Sequence, residues 1–249
     1  MEERMQLFRR RFPNSKITSY RLRKFFKEIT LRKKCIRLDK LPKPADVQDQ
    51  LLQRVDLAND VQMALERRFR IVQLDECMVT RRTLPTHAWS QKKTNIRLDA
   101  RKLSNEVKAI LAAVSREFGL DHIQVFNNSV TKAKFKIFLE SLRRKYPFDD
   151  IMLVMDNLSV HKSTDVKERM EALGFLYSYT PAYSPAYNGI EEVFSIAKRT
   201  IKSARLNRLL AGLNEDLEGI IYNAIHEINI QNIAKCINRS LSLLNLHAL

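Results

Sequence analysis

The chain has 249 residues and carries 44 Lys and Arg against 28 Asp and Glu, a net charge of +16. This length supports one main domain with a small appendage, and the basic excess predicts a polyanionic partner rather than a merely basic surface. The three cysteines, Cys35, Cys77 and Cys236, are far apart, which excludes a disulfide scaffold and indicates a reducing compartment. No apolar run approaches membrane-spanning length, and the start lacks the apolar core of a secretory signal, so no membrane partner is expected.

Residues 1–45 form the basic appendage, since residues 1–43 hold 15 Lys or Arg and four acids, a net charge of +11. Apolar residues at helical spacing predict a helix over 17–29, capped by Thr18 or Ser19. A linker with two prolines follows, and its basic triplet would also suit a nuclear address. We expect this segment to contact DNA, the alternative being a solvated helix packed on the main domain. The candidate DNA-binding residues here are Arg21, Arg23, Lys24, Lys27, Arg32, Lys33 and Lys34.

A helix is predicted over 45–68, and the main domain, 46–249, then alternates short apolar runs with helical patterns. Strands are predicted over 70–74, 107–114, 122–127, 151–155 and 175–179. Helices are predicted over 131–146 and 163–173, from Glu191 onward, and over 213–249 as one or two helices.

Two of these strands deliver an acid at their ends. The run before Asp156 and Asn157 is uninterrupted and apolar, as in a strand buried on both faces, and the run 70–74 ends at Asp75. An Asp after a strand often just starts a turn, but Glu191, separated from Asp156 by 34 residues, opens a helix after a Pro-rich turn. The three acids could converge on a pair of hard cations, which prefer oxygen ligands, for phosphoryl transfer.

The helix that begins near Glu191 has two contrasting faces. Val193, Phe194, Ala197, Ile201 and Ala204 form its apolar arc, whereas Glu191, Ser195, Lys198, Lys202 and Arg205 share the opposite arc. An acid at the head of a basic stripe suits a metal ligand followed by a DNA backbone track.

Three motifs then carry a resemblance: LDE around Asp75, DNLSVHKS from Asp156, and YSPAYNGIEEVF ending at Phe194. Over residues 70–205 the chain resembles DDE transposases of the mariner-type superfamily, which includes bacterial insertion-sequence transposases. The resemblance implies that Asp75, Asp156 and Glu191 are the catalytic metal ligands, with Glu76 and Glu192 as bystanders. It also implies that Trp89 and the SQKK after it belong to the family's next strand.

Three polar residues near the acids are expected to have positioning roles, with packing as the alternative for His161. Asn157, His161 and Asn188 are expected to position the acids or a phosphate, and His161 is not needed as a general base because a metal lowers the pKa of its own water. This chain has Gly189 and Phe194 where the family has Pro and Trp, and the glycine is expected to loosen the placement of Glu191.

The implied fold is an α/β, RNase H-like mixed sheet flanked by helices and preceded by the basic helical segment. The implied function is metal-dependent DNA cleavage and strand transfer with two Mg²⁺ or Mn²⁺ ions, by a homodimer acting on double-stranded element ends and target DNA, in the nucleus of a eukaryote or the bacterial cytoplasm or nucleoid. The alternatives are a transposase-derived DNA-binding protein with little catalysis and a nuclease on the same fold.

Overall fold

The computed structural model describes residues 2–28, 44–88 and 97–244. It divides the chain into two compact units, Met1–Lys43 and Pro44–Leu249. The predicted strand at Trp89, the residues Arg32, Lys33 and Lys34, and the side chain of Lys27 lie outside the described part. No helix within the described residues is long and apolar enough to cross a membrane.

The first unit contains two helices, α1 (Glu2–Arg11) and α2 (Ser19–Glu28). Thr18 begins α2, because its hydroxyl oxygen accepts the backbone N–H of Arg21 at 3.3 Å. Met5 of α1 and Leu22 of α2 are buried, whereas Arg21, Arg23 and Lys24 are exposed. The predicted helix is therefore confirmed, with Leu22 buried and its described basic side chains exposed.

The second unit is built on a five-stranded mixed sheet in the order β3-β2-β1-β4-β5. Its strands are β1 (Arg70–Val79), β2 (Lys108–Ser115), β3 (Gly119–Asn127), β4 (Ile151–Met155) and β5 (Leu176–Tyr179). The β1–β2 and β2–β3 pairs are antiparallel, and the β1–β4 and β4–β5 pairs are parallel. The predicted order of strands and helices and the mixed sheet are confirmed.

Helices cover both faces of this sheet. They are α3 (Pro44–Glu66), α4 (Lys132–Lys145), α5 (Thr164–Ala172), α6 (Ile190–Leu210), α7 (Leu217–His226) and α8 (Ile230–Ser242). One core layer joins the sheet to α4 and α5 through residues such as Phe135, Phe138 and Met170. Another joins the opposite face to α6, α7 and α8 through Val193, Ile221 and Ile237. The sheet is therefore buried on both sides, which explains why β2 and β4 read as continuous apolar runs.

The strand boundaries differ from the sequence prediction most at the end of β1, and β3 also begins three residues earlier than predicted, at Gly119. The prediction ended the first strand at Leu74, but β1 continues to Val79 because β2 pairs with it along that whole length. Its parallel pairing with β4 stops earlier, at the pair Gln73–Val154. Asp75 therefore lies within a strand, at the point where its neighbour on one side ends.

Candidate active site

Strand register brings Asp75 and Asp156 to corresponding positions. Each lies two residues beyond the last paired residues of β1 and β4, Gln73 and Val154. Asp156 directly follows the end of β4, whereas Asp75 remains bonded to β2 on its other side. The site thus lies at the carboxyl end of β4, where this central strand stops. The carboxyl ends of strands are a usual location for sites in α/β folds.

The third predicted acid reaches the same place from α6. Asp75, Asp156 and Glu191 line a single cleft of about 470 Å³. Asn157 and Asn188, two of the three predicted positioning residues, also line it. The structure therefore brings together acids that are 81 and 35 positions apart in the chain.

The cleft is electrostatically unfavourable for three ionised acids. Burial is the main cause that raises the pKa of Asp75 to about 7; the charges of Asp156 and Glu191 contribute to the rise, and a hydrogen bond from the Glu76 N–H opposes it. That N–H lies 2.6 Å from Oδ1 of Asp75, which is only 6% exposed. Because like charges and desolvation both disfavour the carboxylate, a cation in the cleft would be strongly favoured.

The donor set fits a hard divalent cation. Asn188 is buried, and its Nδ2 donates to the Leu74 carbonyl at 3.1 Å, whereas its Oδ1 has no hydrogen-bond partner. Carboxylate and amide oxygens are the ligands that Mg²⁺ and Mn²⁺ prefer. Among the described residues no group of three acidic, His or Cys side chains is already close enough together to hold a metal ion.

His161 lies behind the acids rather than in the cleft lining. Its side chain is fully buried against the ring of Phe135, and Nδ1 lies 2.8 Å from Oδ1 of Asp156. Nε2 is 3.7 Å from Glu76, an ion-pair distance that is too long for a hydrogen bond. Burial lowers the pKa of His161, but the hydrogen bond to Asp156 and the nearby Glu76 outweigh it and raise the pKa to about 9. Because His161 is buried outside the cleft lining and contacts Asp156, it is placed to orient that carboxylate.

The head of α6 is more constrained than the sequence suggested. A Cβ on Gly189 would lie 2.6 Å from the carbonyl oxygen of Cys236 and 2.8 Å from Oε1 of Gln73. The Gly189 N–H also donates to that Oε1 at 2.7 Å. The expectation that this glycine loosens the placement of Glu191 was wrong, because α8 and β1 confine it closely. Sequence reasoning missed Gln73, whose signal was a polar residue inside an apolar strand.

Two residues of the predicted basic stripe follow Glu191 along α6. Lys198 and Lys202, with Ser195 and Arg199, line a shallow cavity of about 300 Å³ that shares Glu191 with the cleft. Lys198 also lies next to β1: burial raises the pKa of the Cys77 thiol, and the Lys198 ammonium partly offsets that rise. A basic surface therefore continues from the acids along one helix.

Arg205 does not belong to this surface. Its side chain is fully buried, pairs with the buried Glu215, and donates to the carbonyls of Thr80 and Thr83 at 2.7 Å each. The prediction that Arg205 binds DNA was wrong. The face of α6 that carries Glu191 and Arg205 is exposed at Glu191. At Arg205 the same face is covered by the segments 80–83 and 213–216.

The predicted DNA-binding residues of α2 differ from Arg205 in their exposure. Arg21, Arg23 and Lys24 are exposed, so all three are available to a polyanion. Their role in DNA binding stays a prediction.

A sequence profile described as DDE superfamily endonuclease matches residues 70–210, the segment that carries all three acids. No curated protein matches the sequence significantly.

Solved structures share the fold. The Mos1 strand transfer complex has a TM-score of 0.61 at 13% identity, covering 98% of this chain and 76% of that one. The Mos1 mariner paired end complex with Mn has a TM-score of 0.61 at 13% identity, covering 92% and 69%. The Mos1 transposase catalytic domain with raltegravir and Mg has a TM-score of 0.56 at 14% identity, covering 83% and 94%.

Proposed function

The chain belongs to the DDE superfamily of endonucleases, and we propose that it is a mariner-type transposase that cuts DNA and joins the freed end to a target. The observation that carries this proposal is the meeting of Asp75, Asp156 and Glu191 in one cleft. Each acid comes from a different element, so only the folded sheet and α6 together create the site.

The cofactor we propose is a pair of Mg²⁺ or Mn²⁺ ions, held by the three carboxylates with Asn188 Oδ1 as a further oxygen donor. When bound, these ions supply Lewis-acid activation of the attacking hydroxyl and neutralise charge on the phosphate. The oxygen-only donor set and the raised pKa of Asp75 support this assignment. Structures of the similar Mos1 catalytic domain with Mg and with Mn support the same choice of metals.

The protein's own part in the reaction is placement. His161 holds the Asp156 carboxylate, and Asn188 ties the turn before α6 to the Leu74 carbonyl. Lys198 and Lys202 lie behind Glu191, where they can neutralise phosphates of the bound strand. Cleavage would use water as the nucleophile and strand transfer the freed 3′ hydroxyl, so neither step needs a covalent bond to the protein.

The partners we propose are double-stranded DNA at element ends and target, bound by a homodimer. The net charge of +16 supports a nucleic-acid partner. The similar Mos1 structures are paired-end and strand transfer complexes, which supports assembly on two DNA ends.

Nicking of supercoiled plasmid tests the catalytic assignment. We expect wild-type protein to nick in Mg²⁺ or Mn²⁺ and not in EDTA, and Asp75→Asn, Asp156→Asn and Glu191→Gln to lose this activity while retaining DNA binding. The matched control is Glu192→Gln, because Glu192 directly follows Glu191 but pairs with Arg239 at 2.8 Å instead of lining the cleft.

Joining of a labelled 3′-hydroxyl oligonucleotide to plasmid then separates a transposase from a nuclease. Nicking without joining would favour a nuclease on this fold. Wild-type protein that binds DNA but never nicks would overturn the enzyme proposal in favour of a DNA-binding protein.

A further inference from the structure

We propose that Gln73 is a positioning residue for Glu191, linking the head of α6 to the strand that carries Asp75. This inference rests on the proposed function, because it concerns the geometry of the same metal-binding acids. Gln73 is fully buried and lies two residues before Asp75, on the same face of β1.

Both ends of the Gln73 amide are engaged. Oε1 accepts the Gly189 N–H at 2.7 Å, and Nε2 donates to the Ser240 hydroxyl at 2.9 Å. The Ser240 hydroxyl in turn donates to the Ile237 carbonyl at 2.8 Å, within α8. The amide orientation is thus set by groups from two other elements, so Gln73 can hold Gly189 at a fixed position.

A second hydrogen bond joins the turn before α6 to β1. Asn188 Nδ2 donates to the carbonyl of Leu74, so two consecutive residues before α6 are bonded to two consecutive residues of β1. Glu191 follows Gly189 by two residues, and Asp75 follows Gln73 by two. The distance between Asp75 and Glu191 is therefore controlled by short hydrogen-bonded connections rather than by the 115-residue segment between them.

Position 189 requires glycine because there is no room for a side chain, not because of its backbone conformation. Its φ of −66° and ψ of −17° are ordinary helical values that any residue can adopt. The close approach of the Cys236 carbonyl and Gln73 leaves no room for a Cβ, and a proline would also lack the N–H that Gln73 accepts. This chain therefore fixes the start of α6 by a side-chain hydrogen bond where the family it resembles has the rigid ring of proline.

If Gln73 only stabilised the core, replacing it would leave metal binding unchanged. Metal affinity therefore distinguishes a positioning role of Gln73 from a purely stabilising one. Residues that orient metal ligands typically change metal affinity or activity by roughly 10–100-fold when replaced. We expect Gln73→Met, which keeps the length but loses both hydrogen bonds, to weaken Mn²⁺ binding by about 10-fold or more on this scale.

Isothermal titration of the full chain with Mn²⁺ measures this effect. Ser240→Ala removes only the outer partner of Gln73, and we expect it to cause a smaller loss than Gln73→Met. The matched control is Gln124→Met, because Gln124 on β3 also donates to a serine at 3.1 Å, but that serine, Ser141, lies on α4 and not beside the head of α6. Gln124→Met should bind Mn²⁺ as wild type does.

Amide hydrogen exchange at Gly189 supplies a test that needs neither metal nor activity. Exchange should be faster in Gln73→Met and unchanged in Gln124→Met. Wild-type Mn²⁺ affinity in Gln73→Met, with a melting temperature lowered as in Gln124→Met, would overturn the proposal and leave Gln73 a stabilising core residue. Failure of wild-type protein to nick DNA would instead count against the proposed function, because neither Mn²⁺ affinity nor amide exchange depends on nicking.

Discussion

Nδ1 of His161 lies 2.8 Å from Oδ1 of Asp156, and the imidazole is fully buried between that acid and the ring of Phe135. The Tyr179 hydroxyl also donates to the backbone carbonyl of His161 at 2.9 Å, which holds the residue in place. This histidine therefore lies where it can orient the Asp156 carboxylate.

Replacement of His161 should separate orientation from proton transfer. In His161→Asn the side-chain amide can keep a donor near the Nδ1 position, so we expect it to retain more nicking activity than His161→Leu. Loss of the orienting bond in His161→Leu should reduce the rate by roughly 10–100-fold. The measurement is plasmid nicking across pH 6 to 9. A general base would instead make both variants equally inactive and remove a limb of the wild-type pH profile.

The stability of the metal-free protein should fall as pH rises toward neutrality. The pKa of Asp75 is about 7 in the folded protein against 3.8 as the ordinary value, so the folded state binds the proton more tightly between these limits. The stabilisation is complete below pH 4 and is lost as pH rises through 7, by an amount on the order of 4 kcal/mol at 1.36 kcal/mol per pKa unit.

Urea unfolding in EDTA at pH 5 and pH 8 measures this dependence. Asp75→Asn removes the titrating group, so its stability should change less between the two pH values than that of wild type. Equal changes in the two proteins would show that Asp75 titrates normally.

Arg205 should matter for stability rather than for DNA binding. Its guanidinium and the Glu215 carboxylate are 0% and 1% exposed. Removing one partner of a buried ion pair leaves an unpaired charge, so Arg205→Met should lower the free energy of unfolding by roughly 3–5 kcal/mol.

Urea denaturation checks the Arg205 prediction, with Arg205→Met/Glu215→Met as a second variant. The double variant should recover part of the loss, because neither charge then remains buried alone. A single variant with wild-type stability would contradict the burial of this pair.

Lys198 and Lys202 should contribute to DNA binding by neutralising phosphates. Replacing either lysine by alanine should reduce the slope of log K against log salt concentration by about 0.9 for each phosphate that the lysine neutralises. Lys136→Ala is the control, because Lys136 lies on α4 and pairs with Asp165 at 3.1 Å, away from the cleft. Fluorescence anisotropy with duplex DNA at several salt concentrations measures the slopes. Equal slopes in wild type and all three variants would show that DNA binds elsewhere on the protein.

Local patterns in the sequence predicted the strand end before Asp156, the helix start at Glu191 and the buried arc of α6. A strand buried on both faces has no polar side, so the apolar run before Asp156 and its abrupt end were visible in the sequence. The motif around Glu191 identified the third acid and distinguished it from Glu192, which the structure pairs with Arg239. Helical periodicity also gave the buried arc of α6 correctly at Val193, Phe194, Ala197 and Ile201.

The sequence by itself determined the basic charge through its composition and the order of strands and helices through short-range periodicity, and its resemblance to the family's motifs indicated the three acids. Only the tertiary structure decided that β1 runs past Asp75, that Arg205 is buried and that Gln73 holds Gly189. Each of these depends on a distant partner: β2 for the strand, Glu215 and the Thr80 carbonyl for the arginine, α8 for the glutamine. Periodicity shows which arc of a helix or strand is apolar, but which groups cover each position is settled only when remote segments pack together.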